Sequence, residues 1–293
     1  GDNEGHTPLH IAAKNGQVEV IKILFQGLSP EDRLTYLLME NRYGSTPLYI
    51  AAGQGHANVI KELLEKLSDE ERVTYLRMEN NNGVTSLYYA AGIGYANVIN
   101  ELLQGLSGED RVTYLHKGNN NGDTPLCIAA NNGHDNVINA LLQGLSPVQR
   151  LTYLQMEDYS GVIPLHIAAS KGHANVIKGL LQGLSPVQRL TYLHMTDKFS
   201  DPPLNIAAYR GHVNVIKELL KGLSHEDRLA CLHKENIYGV TPLWIAAQEG
   251  HANVIKELLE GLSPEERVKY LHMANNNGIT PLWIAAHKGD VHV

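Results

Sequence analysis

The stretch GSTPLYIAAGQGHANVIKELLEKL, residues 44–67, predicts two short helices joined by a turn. Thr46 is suited to cap the first helix, and Pro47 fits its first turn, where the missing amide costs no hydrogen bond. Gly55 is expected to end that helix, and the apolar residues after it fall on one side of a second helix. Because neither helix is long enough to be stable alone, both are expected to pack on neighbouring copies.

The same pattern recurs every 39 residues, without an insertion or a deletion. The Thr that opens the TPL motif, or the residue in its place, is Thr7, Thr46, Thr85, Thr124, Ile163, Pro202 or Thr241, and a partial eighth copy begins at Thr280. Copies in strict register are typical of stacked repeats that share one core. We therefore expect residues 1–293 to form a single solenoid of seven repeats and part of an eighth. Since the chain begins and stops within a repeat, we also expect it to be a segment of a longer protein.

The recurring pattern GxTPLHxAAxxGHxxVIxxLL resembles the ankyrin repeat over the whole chain. Five copies keep a His after the Gly of the turn between the two helices: His56, His134, His173, His212 and His251. The resemblance implies an all-α solenoid of helix-turn-helix units with β-hairpin tips, whose concave face consists of the tips and the first helices. Two features depart from the family pattern. The period exceeds the family's usual length of about 33 residues, and the sixth repeat has SDPPL at 200–204 in place of the tip Gly and the Thr.

The additional residues of each repeat are LSPEDRLTYL, residues 28–37, and its six variants farther along the chain. Ser29 is expected to cap a third helix, with Pro30 at its first position and Asp32 three residues after the cap. Every copy keeps Ser at the cap and an acid or Gln three residues later. The sequence thus predicts one additional short helix in every repeat.

Two pairs of residues define the sides of this third helix. Leu34 and Leu37 are expected to pack beneath the preceding helix, and Tyr36 is expected to stack on Arg33 at the opposite side. Arg recurs at this position in all seven copies. It could form a ladder for a polyanion, or it could pair with the acids that cap the third helices. Because two acidic residues precede the Arg in five copies, pairing is the favoured interpretation.

The overall composition excludes several classes of protein. A formal charge of -7 disfavours nucleic acid as a partner, since a binder of phosphates needs a basic face. No apolar run approaches the roughly 18 residues of a membrane-spanning helix. Cys127 and Cys231 are too few for a disulfide framework, so a reducing compartment is expected. We therefore expect a cytoplasmic location, which would be the host-cell cytoplasm if the protein is a secreted effector.

No motif for catalysis, for a cofactor or for a metal is recognisable in the chain. The 15 His residues mostly recur at repeat positions, so equivalent side chains should lie one helix spacing apart, about 8–10 Å. Zinc requires its ligands at about 2 Å from one centre. The NNNG runs before the TPL motif are expected to form turns, where Asn tolerates a positive φ. The sequence therefore predicts neither an enzyme nor a bound cofactor or metal.

Positions that vary within the fixed repeat are where we expect a partner to bind. In ankyrin-like stacks these are three tip residues before the Thr and two residues at the end of the first helix. Here their formal charge sums to +2, against -7 for the chain. Aromatic residues and Arg dominate the energetics of interfaces. The predicted contact region in repeats five to eight consists of Tyr159, Lys198, Phe199, Tyr209, Arg210, Tyr238, Glu249 and the two tryptophans, Trp244 and Trp283. For the tryptophans there is an alternative interpretation, in which they fill gaps between neighbouring first helices.

Three hypotheses for the function follow from these patterns. The leading one is a non-enzymatic scaffold that binds a partner protein or peptide on its concave face. In the second, the solenoid is the targeting arm of a larger secreted bacterial effector or enzyme whose catalytic domain lies outside this segment. Long arrays of near-identical ankyrin units resemble those in effectors of intracellular bacteria. The string QGLSPVQRLTYL, identical at 143–154 and 182–193, indicates a recent duplication, which suits this hypothesis. The third is weak self-association through uncapped ends of the stack.

Overall fold

The structure, a computed structural model, describes residues 1–288 and contains helices α1 to α22 in that range. Every complete repeat contributes three helices. The first helices are α1 (Pro8–Lys14), α4 (Pro47–Gly53), α7 (Ser86–Ile93), α10 (Pro125–Asn132), α13 (Pro164–Lys171), α16 (Pro203–Arg210), α19 (Pro242–Gln248) and α22 (Pro281–Lys288). The second helices are α2 (Val18–Phe25), α5 (Ala57–Leu64), α8 (Ala96–Leu103), α11 (Asp135–Leu142), α14 (Ala174–Leu181), α17 (Val213–Leu220) and α20 (Ala252–Leu259). The third helices are α3 (Pro30–Leu38), α6 (Asp69–Leu76), α9 (Gly108–Leu115), α12 (Pro147–Leu154), α15 (Pro186–Leu193), α18 (His225–Leu232) and α21 (Pro264–Leu271).

Helices of one kind stack on each other within two compact units, Gly1–Tyr159 and Ser160–Val293. In the first unit, α1, α4, α7 and α10 pack in series, and α2, α5, α8 and α11 form a second layer behind them. In the second unit, α13, α16, α19 and α22 pack in series in front of α14, α17 and α20. The all-α solenoid with a third helix per repeat is confirmed. That all the repeats form one continuous solenoid stays a prediction.

The first helices begin at the TPL motif as the sequence predicts. The Thr85 hydroxyl accepts a hydrogen bond from the Tyr88 amide at 3.2 Å, which satisfies one of the free amides of the first turn. Leu87, Ala90 and Ala91 are completely buried on the side that faces neighbouring helices. Because alanine has so small a side chain, the first helices can lie close together. The burial of these apolar side chains stabilises the stack.

The tips before the first helices are tight turns that one amide or carboxylate side chain organises. In the third repeat, Asn80 Oδ1 accepts hydrogen bonds from the amides of Asn82 and Val84 at 3.0 and 3.1 Å. Gly83 has a φ of +71°, which suits glycine. Within residues 1–288, strand-type pairing is limited to one isolated bridge, between Glu79 and Thr85. The hairpins are this short because the Thr that follows the turn already caps the next helix, so no residues remain to extend a ladder.

The third helices are capped as expected, but their tyrosines, with the exception of Tyr36, point inward. The Ser68 amide donates to Glu71 Oε2 at 2.8 Å, and the Glu71 amide donates to Ser68 Oγ at 3.3 Å. Tyr75 is 1% exposed, and its hydroxyl accepts a hydrogen bond from the Leu48 amide at 3.1 Å. The Tyr ring therefore belongs to the core, where its hydroxyl satisfies a free amide of the first helix.

The predicted stack of Tyr36 on Arg33 is wrong. The Arg33 guanidinium lies over the Phe25 ring, at 4.4 Å from the ring centroid, while the Tyr36 side chain remains 40% exposed. Phe25 ends α2 directly before the loop into α3, and its ring lies under the Arg33 guanidinium. In the first repeat, the helix contributes Leu37 to the core, and Leu34 is partly buried, as expected.

Arginines of the third helices in both units bind backbone carbonyls of the next repeat, and Arg267 binds Leu262 O of its own repeat. The prediction that they pair with capping acids is wrong. Arg33 Nη2 donates to Glu62 O at 3.1 Å and to Glu65 O at 2.8 Å. Equivalent bonds join Arg72 to Gln104 O, Arg111 to Gln143 O, Arg189 to Glu218 O and Arg228 to both Glu257 O and Glu260 O. The last carbonyls of a helix have no partner within the helix, and a cation also suits that end of the helix dipole. Because these guanidinium groups are committed to carbonyls, a ladder for a polyanion is not favoured either.

Candidate protein-binding surface

One row of exposed residues in the second unit lies at the ends of the first helices. Tyr209 and Arg210 end α16, and Lys171 and Glu249 occupy the equivalent place in the repeats on either side. His212 Nε2 is 3.1 Å from Ser170 O, and His251 Nε2 is 3.0 Å from Tyr209 O. These histidines tie each helix end to the previous one. The row is therefore held in a fixed order along repeats five, six and seven.

A second row consists of the tips of repeats six and seven, with Lys198, Phe199 and Tyr238 exposed. The Phe199 amide donates to Asp197 Oδ1 at 2.9 Å, and the Tyr238 amide donates to Asn236 Oδ1 at 3.0 Å. Asn236 Nδ2 donates to Asp201 Oδ1 at 2.8 Å, which links the two tips. The two aromatic rings thus belong to turn residues whose backbone is fixed by hydrogen bonds.

Two cations of these rows lie over aromatic rings. Lys198 Nζ is 5.1 Å from the centroid of the Phe199 ring, and the guanidinium carbon of Arg210 is 5.4 Å from that of the Tyr209 ring. Among residues 1–288, neither cation forms an ion pair with a carboxylate, and the three rings of the two rows are 50–59% exposed. We name the exposed set the aromatic strip; it consists of Lys171, Lys198, Phe199, Tyr209, Arg210, Tyr238 and Glu249.

The structure separates the two tryptophans. Trp244 is only 8% exposed, and its indole N–H donates to Ile279 O at 2.9 Å. It fills the space between α19 and the tip of the next repeat, so its assignment to the contact region is corrected. Trp283, at the equivalent position in α22, is exposed and stacks on His287 with the ring centroids 4.9 Å apart. Within residues 1–288 no further repeat packs on Trp283, which explains why the same residue type differs so much in exposure.

Tyr159 belongs to the first unit, so the structure does not group it with the aromatic strip. Its side chain is strongly exposed, and its amide donates to Asn121 O at 3.3 Å. Its ring lies against Gly122, where a Cβ atom would come within 3.0 Å of it. Tyr159 is therefore a tip residue of the first unit, held against the preceding tip.

The corresponding positions of the first unit are rich in amides. Tyr43 and Arg42 are exposed on one tip, and the other variable positions are dominated by Asn81, Asn82, Asn120, Asn121, Asn131 and Asn132. Asn81 Nδ2 donates to Arg42 O at 3.1 Å, so at least this side-chain amide links two neighbouring tips. The first unit thus presents a surface of different chemistry on the same scaffold.

Sequence reasoning missed Tyr89, which is partly exposed on α7. Its ring stacks on Tyr49 with centroids 4.7 Å apart and planes 3° apart. Gly53 permits this stack, since a Cβ atom there would lie 2.2 Å from a Tyr89 ring carbon. The available signal was Tyr89 itself, which stands where most repeats have Ile, together with a Gly inside the preceding first helix.

The units also differ in charge. Residues 1–159 contain 11 basic and 19 acidic side chains, for a formal charge of -8, whereas the remaining residues contain 13 basic and 12 acidic ones, for +1. The aromatic strip has three basic residues and one acidic residue, a formal charge of +2. The strip is therefore the more positive part of the less acidic unit.

The sixth repeat, which provides four of the seven strip residues, lacks several stabilising features that most other repeats have. Ser200 has a φ of +61° where most tips have glycine, and Pro202 gives α16 no side-chain cap. Cys231 replaces the buried Tyr of the third helix, and a cavity of about 10 Å³ lies beside it, about the room of one water. Departures from local consistency concentrate at functional sites.

Cys231 lies 3.6 Å from His194, a pairing that could suggest a nucleophile with its base. Burial raises the pKa of the Cys231 thiol to about 12 and lowers the pKa of His194. Both groups are therefore neutral near pH 7, whereas a reactive cysteine needs a lowered pKa and access to solvent. The pair is a packing contact. Within residues 1–288, no three His, Cys, Asp or Glu side chains converge as metal ligands.

Comparisons with known proteins agree with the repeat architecture. The family model for ankyrin repeats in three copies matches residues 28–111, 107–189 and 184–268, and the model for a single ankyrin repeat matches residues 4–33. None of the curated proteins matches the chain. Among residues 1–288, no helix has the length and apolar character needed to cross a membrane. Since the matched segments cover most of the sequence, the chain belongs to the ankyrin-repeat family.

Proposed function

We propose that the aromatic strip binds a segment of a partner protein, which makes the chain a non-enzymatic interaction scaffold. Ankyrin repeats are generally modules for protein–protein interaction and typically non-catalytic. The observation that carries the proposal is the group of three half-exposed aromatic rings in adjacent repeats, two of them beside a cation. Aromatic residues and Arg in such positions contribute most of the binding energy at interfaces.

The sixth repeat supports this location. Its uncapped helix, its strained Ser200 and its cavity all reduce local stability, and none of them is needed for the repeat to stack. A chain that keeps so regular a period elsewhere is expected to tolerate such losses where binding residues replace the consensus ones. A reducing compartment such as the cytoplasm suits the buried, unpaired thiols of Cys127 and Cys231.

The test is a quantitative capture experiment with matched variants. The wild-type chain, the double variant Y209A/R210A and the control K178A/K256A, whose lysines are exposed on α14 and α20, are immobilised and exposed to the same lysate. A specific partner should be retained by the wild type and the control but lost from Y209A/R210A. Calorimetry with the purified partner should then show the same loss, while thermal unfolding of all three chains is unchanged. Equal retention by Y209A/R210A would reject the strip as the site.

A second candidate function is that of targeting arm in a larger bacterial effector. The observation in its favour is the identity of residues 143–154 and 182–193, which indicates a young duplication. Under this proposal the strip selects the target on which a separate catalytic domain acts. Sequencing the gene on both sides of the segment tests it, because a flanking catalytic domain is required and an open reading frame without one would reject it.

A further inference from the structure

We infer that the partner segment bound by the aromatic strip is acidic, an inference that rests on the function proposed above. Three of the strip's four charged residues are basic: Lys171, Lys198 and Arg210. The single carboxylate, on Glu249, lies at the seventh repeat and accepts a hydrogen bond from Gln248 Nε2 at 2.8 Å. The strip therefore offers a basic stretch along repeats five and six that ends at one acid.

The cations of the strip differ from other cations of the same unit in what they contact. Lys217 on α17 lies 3.5 Å from the carboxylate of Glu257, and Lys221, directly after α17, lies 3.1 Å from that of Glu218. In contrast, Lys198 and Arg210 lie over aromatic rings. A ring face attracts a cation without neutralising its charge, so the cation's hydrogen-bond donors can still bind a carboxylate.

The spacing of the repeats sets the spacing expected in the ligand. Lys171 and Arg210 end the packed helices α13 and α16, and helices of this kind pack about 8–10 Å apart. An extended chain advances about 3.3 Å per residue. Carboxylates about three residues apart would therefore meet successive cations, with apolar side chains between them against Tyr209 and Phe199. Glu249 disfavours a further acid at the seventh repeat, which gives the bound segment a direction.

The unknown sequence of the segment calls for an unbiased probe. Random dodecapeptides displayed on phage are selected on the immobilised full-length chain, and an enriched peptide is synthesised with a fluorescent label for anisotropy measurements. We expect the selected sequences to be enriched in Asp and Glu at a spacing of about three residues. Affinity should fall about tenfold between low and physiological salt, because the contacts are largely electrostatic.

Charge reversal locates the binding site. In K198E/R210E the affinity for the acidic peptide should fall by at least about tenfold. The control K178E/K256E makes the same change in net charge at exposed positions of the second helices and should bind nearly as the wild type does. Thermal unfolding verifies that both variants fold. Equal losses in the two variants would show attraction by net charge alone and would overturn the inference.

Other outcomes separate this inference from the proposed function. Neutral or basic selected peptides that lose affinity with Y209A would overturn the acidic partner but leave the strip as a docking site. Selection of no peptide that depends on the strip would overturn both.

Tighter binding of single-stranded oligodeoxythymidine through the same cations would overturn the acidic peptide and identify a nucleic acid as the occupant of the strip instead. Salt-sensitive self-association that is lost in K198E/R210E would identify the acidic first unit of a second copy as the occupant.

Discussion

The two units of the molecule use the same scaffold to present different surfaces. Both have Thr or its substitute before the first helix, a capped third helix and Arg bonded to the carbonyls of the next repeat. Yet the first unit has a formal charge of -8 and amide-rich variable positions, whereas the second has +1 and the aromatic strip. The difference shows that positions required by the backbone are fixed within a repeat, while positions that face solvent are free to adapt to a partner.

The largest expected loss of stability comes from placing in the first unit the Cys that the sixth repeat has at the buried Tyr position of its third helix. Tyr75→Cys removes a fully buried ring and its bond to the Leu48 amide, so the free energy of unfolding should fall by about 3 kcal/mol. Urea denaturation measures the loss. The control Tyr75→Phe keeps the ring and should lose only about 1 kcal/mol. A loss below that of the control would mean that Tyr and Cys are equivalent at this position, and the contrast between the repeats would disappear.

An intermediate effect is expected from the arginines that both units share. Arg33→Ala in the first unit and Arg228→Ala in the second should each lower the free energy of unfolding by about 1–3 kcal/mol, because each leaves two helix-end carbonyls unbonded. The suitable control is Arg267→Ala, since among residues 1–288 Arg267 donates only to Leu262 O, five residues earlier. Chemical denaturation of the three variants should place Arg267→Ala nearest the wild type. A loss confined to one unit would contradict a shared scaffold.

The smallest effect, and one of opposite sign, is expected at two strained residues. Ser200 in the second unit and Lys66 in the first have φ values of +61° and +67°, while most repeats have glycine at these positions. Ser200→Gly and Lys66→Gly should each stabilise the chain by about 0.5–1 kcal/mol, since a side chain costs energy in the left-handed region. Thermal unfolding detects the gain. The reverse change, Gly83→Ser, is the control and should destabilise the chain. A gain at Lys66 without one at Ser200 would show that the sixth-repeat tip is not strained.

Features that depend on local chemistry could be predicted from the sequence. The 39-residue period, the Thr and Ser caps and the turn-forming Asn residues all act through bonds to amides a few residues away. From these features the positions of the first, second and third helices and of the exposed tips with Phe199 and Tyr238 could be predicted. The aromatic strip follows from the same register, because the repeat positions of Lys198, Phe199 and Arg210 are exposed in every repeat within residues 1–288.

Features that depend on the next repeat could not be predicted in this way. The acids beside Arg33 in sequence suggested an ion pair, but neighbours one or two apart on a helix do not face each other, and the actual acceptors are 29 and 32 residues away. Trp244 and Trp283 occupy the same repeat position and differ only in what packs on them. The Tyr89 stack depends on Gly53 in another helix. Such contacts become visible only when one repeat is placed on another.

The arginine–carbonyl bonds run in one direction, from the third helix of a repeat to the second helix of the following one. A stretch of 39 residues therefore carries both a donor for its successor and the acceptors for its predecessor. Duplicating or deleting such a stretch joins the same donor to the same acceptors, so the array can change length by recombination and still form these bonds at the new junction. The bonds make the repeat a unit of inheritance as well as of structure, and new binding positions can be tried in a copied repeat while the others keep their role.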